Sequence, residues 1–340
     1  MIYCLILIAA FSAISYLYSY YAAEKNFLNN AISYAALSFV FTILFLILFV
    51  IRNEYFYINF IVFFFTLLVT LFLVVFITSI IVFIINIIRR NFDKIQLKIK
   101  KPSSIKLDLC RKLFHIIIFF ALIFIFFIST NYQNIYRLFP SNKIIFIFAN
   151  WLTGYKGQYN NYYLIEEVGF YYYVILYFFL ILTFVILTNE FTRKTRYIYF
   201  PLNFIPNFLF HEDENNKYGS YVYFAIGHLF AALIIPPSVL FGILAISVFG
   251  DATSSQIGLR FGKVKYPWNN KTLLGSSTGF FVSLVISSLF VNSGYALFFG
   301  LIYYVIDLIT KKPVNISDNL AVPIICAILY NLIIVFEVIF

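Results

Sequence analysis

What most constrains this chain is a train of apolar runs, most of them long enough to cross a bilayer and joined by short polar loops. A spanning helix needs about 20 apolar residues, and a backbone in hydrocarbon has to close its own hydrogen bonds. Residues 2–22, 31–51, 60–88, 113–130, 168–188, 221–235, 238–249, 278–291, 295–310 and 320–340 therefore predict ten spans. The fold class expected is all-α, a polytopic membrane bundle of about ten transmembrane segments, some short or broken. Composition agrees: of 340 residues 63% are hydrophobic and 11% charged, with mean hydropathy +0.92. The sixth and seventh runs are short and separated by Pro236 and Pro237, which predicts a hairpin that does not fully cross. Residues 144–152 and 197–210 are apolar but short, the latter broken by Pro201 and Pro206, and read as interfacial or re-entrant. No hydrophilic stretch is long enough for a separate extramembrane domain. The organisation expected is an N-terminal part, 1–110, of spans and a basic linker, followed by 111–340, where the reactive side chains collect. The first apolar run lacks a basic leader and a small-residue cleavage site, so a retained span is expected there.

The net charge of +10 is distributed as a membrane protein distributes it. With ten crossings, loops 23–30, 89–112, 189–220, 250–277 and 311–319 share one side. They hold 20 of the 24 lysines and arginines, all but Arg52, Arg137, Lys143 and Lys156. The positive-inside rule makes that side cytoplasmic. No aromatic and basic platform accompanies the charge, which excludes nucleic acid as a partner. Cys4, Cys110 and Cys326 are too scattered for a disulfide framework or a zinc site.

Between apolar runs lies the densest chemistry, residues 249–279, FGDATSSQIGLRFGKVKYPWNNKTLLGSSTG, read as a polar loop at the membrane surface. Asp251 opens it, Gly258 and Gly262 flank Arg260, Lys263, Lys265 and Lys271 follow, and Thr272, Gly275 and Ser276 precede the next helix. Glycines allow close backbone approach, a helix start offers unpaired N–H groups, and cations neutralise anions, which together suit a polyphosphate. A carboxylate beside a polyanion makes sense when a divalent cation sits between them. The plain alternative is a solvated loop whose basic residues obey the positive-inside rule.

GDATSSQIGLRFGK followed by KTLLGS resembles the signature shared by CTP-dependent lipid-alcohol kinases, namely the dolichol, phytol and CTP-using diacylglycerol kinases. It is more distantly similar to phosphatidate cytidylyltransferases. RKLFH, with Arg111, Lys112 and His115 at the start of a span, is similar to an element of the phytol and diacylglycerol kinase branches, although a histidine there is more often a packed residue. Glu190 and Arg193 match a Glu-x-x-Arg element, which is otherwise an i,i+3 ion pair in interfacial water. HEDENNKYGS, with Asp213, looks like the acidic stretch before a span in the diacylglycerol kinase. DNLAVP, with Asp318, Asn319 and an upstream Asp307, is similar to the closing element of these kinases, while its plain reading is a helix cap. Asp307 within an apolar run should face a polar cavity or the interface. The chain departs from the pattern at Leu274, where dolichol and phytol kinases carry Glu, at Ser254 and Ser255, where small apolar residues are common, and at Asp307, where Glu is more usual.

The resemblance covers residues 111–330 in scattered motifs and implies phosphoryl transfer from CTP, with Mg²⁺ or another divalent cation, to the hydroxyl of a lipid such as a polyprenol, a phytol-like alcohol or diacylglycerol. It assigns Asp251, Asp318 and Asn319 to the metal, and Gly250, Gly258, Arg260, Gly262, Lys263, Lys271, Thr272, Gly275, Ser276 and Arg193 to the nucleotide. Asp251, Lys271, Asp318, Arg111, Lys112, His115 and Glu190 are the catalytic candidates. A phosphatidate cytidylyltransferase is the alternative within the same chemistry, and a transporter with broken helices the alternative of another class. Endoplasmic reticulum and plasma membrane both suit such a protein, and oligomeric state has no signature in the sequence.

Overall fold

The structure, a computed structural model, describes residues 73–85, 87, 103–130, 163–194, 200–203, 218–269, 271–310 and 316–339. The expected spans 2–22 and 31–51, most of 60–88, the segments 144–152 and most of 197–210, and the acidic cluster containing Asp213 lie outside the described residues.

Apolar runs become helices wherever they are described: α1 (Leu73–Ile85), α2 (Ser104–Thr130), α3 (Tyr163–Lys194), α4 (Ser220–Ile234), α5 (Pro237–Ala245), α6 (Asp251–Phe261), α7 (Leu273–Ser287), α8 (Ser293–Ile309) and α9 (Asp318–Ile339). The described residues contain no strand beyond an isolated bridge between Lys265 and Thr272, so the class is all-α. Two helical stretches, Ile105–Phe126 and Pro237–Phe261, are long and apolar enough to cross a membrane. The first turns a greasy face outward, with Ile117 and Phe124 more than half exposed, as a lipid-facing helix does.

Helix α4 is apolar on every side and buried on nearly every side, which makes it the central post of the bundle. It packs between α3 and α9. At Gly227 a Cβ would stand 2.8 Å from the Asn319 carbonyl oxygen, so the missing side chain lets α9 begin directly against α4 and fixes where Asp318 sits. Pro236 and Pro237 end α4 and start α5, proline being tolerated where a helix has no N–H partner to lose.

The stretch expected as one loop at 249–279 is mostly helix. From Pro237 the chain stays helical to Phe261, passing through a π-helical turn at Ile246–Gly250 and continuing as α6. Helix α7 starts at Leu273, leaving only 262–272 as a short hairpin. Serines, threonines and glycines in α6 disguise it: its polar and small residues serve contacts with α2, α7 and α8, and no apolar stripe marks it as helical.

Candidate functional site

Two lysines and three aspartates from five separate segments meet where α6, α8 and α9 come together. Lys112, on the third turn of α2, is ion-paired with Asp251 Oδ2. Lys271, the last residue before the N-cap of α7, donates from Nζ to Asp307 Oδ1 at 2.5 Å, Asp318 Oδ2 at 3.0 Å and Thr310 Oγ1 at 3.0 Å. Asp251 lies within electrostatic reach of both Asp318 and Lys271, so the two ion pairs form one charged cluster. The convergence expected of Asp251, Lys271 and Asp318 is therefore found in the fold.

Local structure explains the aim of each group. A π turn inserts one extra residue into the helical register, about 100° of rotation, and Asp251 is the first residue beyond it. Asp318 begins α9 and Asp307 lies in the last turn of α8. Asp307 is 2% exposed and accepts from Ser276 Oγ at 2.5 Å and Ser254 Oγ at 3.4 Å as well as from Lys271. Burial opposes the charge on Lys271, yet Asp318 and Asp307 together outweigh it and hold the ammonium pKa above the ordinary lysine value. A further carboxylate, Asp108 on α2, accepts from Ser255 Oγ at 2.6 Å and Gln256 Nε2 at 2.8 Å, clamping α2 to α6 one turn before Lys112.

Asp108, Ser254, Ser255 and Asp307 are thus parts of the site that motif reading left unassigned. The signals were present: Asp108 and Lys112 are four apart on one helix, and Ser254, Ser255 and Asp307 are the very positions at which the chain departs from the kinase pattern. Ser254 donates to Asp307 and Ser255 to Asp108.

Other expected site residues are used differently. Thr272 is the N-cap of α7, its Oγ1 accepting from Gly275 N at 3.2 Å, and Ser276 Oγ is committed to Asp307. Gly258, Gly262 and Gly275 lie where α6 and α7 touch: a Cβ at Gly275 would stand 2.6 Å from the Ser254 carbonyl oxygen and 3.0 Å from Gly258 Cα. Gly250 packs likewise against Ser283 and Gly279. These glycines permit close contact between α6, α7 and the residues joining them. Arg260 and Lys263 are exposed and stand apart from the ion pairs, Arg260 donating to Gln256 Oε1 at 3.1 Å.

Glu190 is fully buried, accepting from Arg193 Nη2 at 2.5 Å and Nε at 3.2 Å and from Tyr221 Oη at 2.5 Å. The ion pair expected in interfacial water is an interior clamp between α3 and α4. Arg111 Nη2 donates to Ser220 Oγ at 2.5 Å, tying α2 to the start of α4. His115 stacks on Phe224 at 4.3 Å between ring centroids, the packed role a lone histidine commonly takes. Asn319 is buried, with its carbonyl against Gly227.

Among the described residues no group of three or more His, Cys, Asp and Glu side chains is spaced to hold a metal ion. The carboxylates here are neutralised by ammonium groups. Mg²⁺, however, is ordinarily held by one or two carboxylates together with substrate phosphates, and Asp251 and Asp318 fit that smaller demand. Comparison with family models, curated proteins and solved structures finds no match to this chain.

Proposed function

We propose that this protein is a CTP-dependent kinase of a membrane lipid alcohol, acting with Mg²⁺ at the cluster of Asp251, Asp307, Asp318, Lys112 and Lys271. The observation that carries the reading is the convergence of three aspartates from α6, α8 and α9 with two lysines at the end of a bundle of apolar helices. The order of motifs along 111–330 supports it from the sequence side.

Charge dictates how such a site would work. Carboxylates outnumber the two ammonium groups and leave the site short of positive charge, so a bare triphosphate is repelled and a divalent cation has to accompany it. Mg²⁺ would supply charge neutralisation to phosphoryl transfer there. Asp251 and Asp318 would hold it. Lys112 and Lys271, released from those carboxylates, would turn to the phosphates, while Asp307 with Ser276 and Ser254 keeps Lys271 tethered. The lipid hydroxyl oxygen forms the new bond to the γ-phosphorus, the bond from phosphorus to the β–γ bridging oxygen breaks, CDP leaves, and the hydroxyl proton passes to Asp251 or Asp318. A ten-span topology with the basic loops cytoplasmic belongs to the same reading, because it exposes the cluster to cytosolic nucleotide.

The test is transfer of label from CTP carrying γ-phosphate label to a panel of lipid alcohols, by purified protein in detergent or nanodiscs. Asp251→Asn, nearly isosteric and uncharged, is expected to lower transfer about 10²–10³-fold, the usual effect of deleting one preorganised electrostatic group. Full activity of that variant refutes the role of Asp251. Label released as pyrophosphate, with CDP-lipid formed, replaces the kinase by a cytidylyltransferase.

A further inference from the structure

Arg260, Lys263 and Lys265 take no part in the charged cluster, and the hairpin that carries them is built for a different surface. Residues 262–272 form a tight ribbon in which Tyr266 N donates to Lys271 O at 3.1 Å and Leu273 N to Val264 O at 3.0 Å. Tyr266 and Trp268 stack at 5.8 Å. Trp268 Nε1 and Asn269 Nδ2 both donate to the Leu308 carbonyl, at 3.0 and 2.8 Å, latching the ribbon to the end of α8 one residue beyond Asp307.

Its exposed side chains are both greasy and basic. Phe261 and Val264 are each 66% exposed and Trp268 47%, with Leu259 and Leu273 beside them. Arg260, Lys263 and Lys265 are exposed among them, and the chain carries no Asp or Glu anywhere from 252 to 306. Large exposed apolar side chains concentrated in one short segment are the composition of an interaction surface, and cations in the same segment without a single acid select an anionic partner. Position selects which partner. The ribbon follows Phe261, the last residue of the helical stretch Pro237–Phe261, which is long and apolar enough to cross a membrane. Tryptophan favours the interface of membrane and water, and lysine and arginine stems lie along apolar surface while their heads reach phosphate.

We propose that the 259–273 ribbon is an interfacial foot that docks on the anionic headgroups of the bilayer in which the protein sits. Phe261, Val264 and Trp268 enter the headgroup layer, and Arg260, Lys263 and Lys265 bind lipid phosphates. Each cation near an anionic surface multiplies occupancy roughly fivefold, so the three together favour the docked ribbon about a hundredfold. The latch at Leu308 and the root at Lys271 place those headgroups beside the charged cluster.

The experiment needs no assumption about catalysis. Trp151→Phe leaves Trp268 as the sole tryptophan of the full chain. That protein is reconstituted in nanodiscs of phosphatidylcholine alone or mixed with phosphatidylserine, with bromine on the acyl carbons nearest the headgroup. Quenching of Trp268 is expected to be strong in the mixed discs, weak in phosphatidylcholine alone, and reduced by high salt. Adding Arg260→Gln, Lys263→Gln and Lys265→Gln, all at exposed positions, should abolish the dependence on phosphatidylserine without changing the melting temperature. Equal quenching in both discs, or none in either, overturns the proposal, the second result being what a ribbon facing a soluble acidic protein would give. Persistence of the lipid dependence in the triple variant overturns it as well.

Discussion

Asp307→Asn tests how the charged cluster is held together, because it removes one charge from the interior while keeping the side chain's shape. The aspartate accepts from Lys271, Ser276 and Ser254, and it is almost wholly enclosed. Breaking a buried ion pair by deleting one partner costs about 3–5 kcal/mol when the other charge is stranded. Lys271 is not stranded: it is 19% exposed and keeps Asp318 and Thr310. The expected loss is nearer the value of one charge-assisted hydrogen bond, about 2–3 kcal/mol. Thermal unfolding in detergent, followed by a thiol-reactive dye in a Cys4→Ser/Cys110→Ser background, reads this directly, since Cys326 is buried in the core whereas Cys110 is partly exposed. The double variant Lys271→Met/Asp307→Asn separates the pair from the surroundings. If the two residues stabilise each other, the double variant is less unstable than the sum of the singles, by about 1–3 kcal/mol of coupling. Strict additivity, within about 0.5 kcal/mol, refutes the reasoning that Asp307 acts through Lys271.

The remaining predictions concern other parts of the frame. Gly275→Ala places a methyl against the Ser254 carbonyl and should cost about 1–3 kcal/mol as overpacking, whereas Gly294→Ala, whose nearest neighbour would be Asn292 Oδ1 at 3.6 Å, should be neutral or slightly stabilising in the same melt. Glu190→Gln leaves Arg193 short of a charge partner and should lower stability by up to about 3 kcal/mol, while label transfer per folded molecule stays within about twofold. A hundredfold loss of transfer at an unchanged melting temperature would instead restore Glu190 to the reaction. Lys271 has a raised folded pKa, so its contribution is complete below the ordinary value of 10.5 and fades as pH climbs from there through the folded value. The stability gap between wild type and Lys271→Met should accordingly be flat through neutral and mildly alkaline pH and narrow only above that point, as read by unfolding at stepped pH.

The helices were legible because hydrocarbon is an undemanding reader: any long apolar run becomes a helix, and Ser220–Ile234 differs from its expected span by one residue at each end. Helix α6 was not legible, because Gly258, Thr253, Ser254 and Ser255 are the vocabulary of loops in water. Between packed helices the same residues are contact points, glycine for closeness and serine for a hydrogen bond. Glu190 was misplaced for a related reason. Three residues of spacing foretold its partner Arg193, but its burial depends on Tyr221, 31 positions further on, which no local pattern announces.

Asp307 extends this point from position to chemistry. A carboxylate near the end of an apolar helix announces only that it must face something polar, and its partners Lys271 and Ser276 lie 36 and 31 residues away, on the far side of a turn. What the fold adds is the pairing rule. Each aspartate of the cluster is matched by an ammonium that can leave or by a hydroxyl that cannot supply charge, so the site is short of positive charge. Replacing Lys112 and Lys271 by apolar residues would leave enclosed carboxylates repelling one another, and replacing the aspartates would leave enclosed cations. The lysines therefore serve folding as counterions in the same places where a metal-bound nucleotide would need them as phosphate ligands, which is why a cluster without a metal cage is compatible with metal-dependent chemistry.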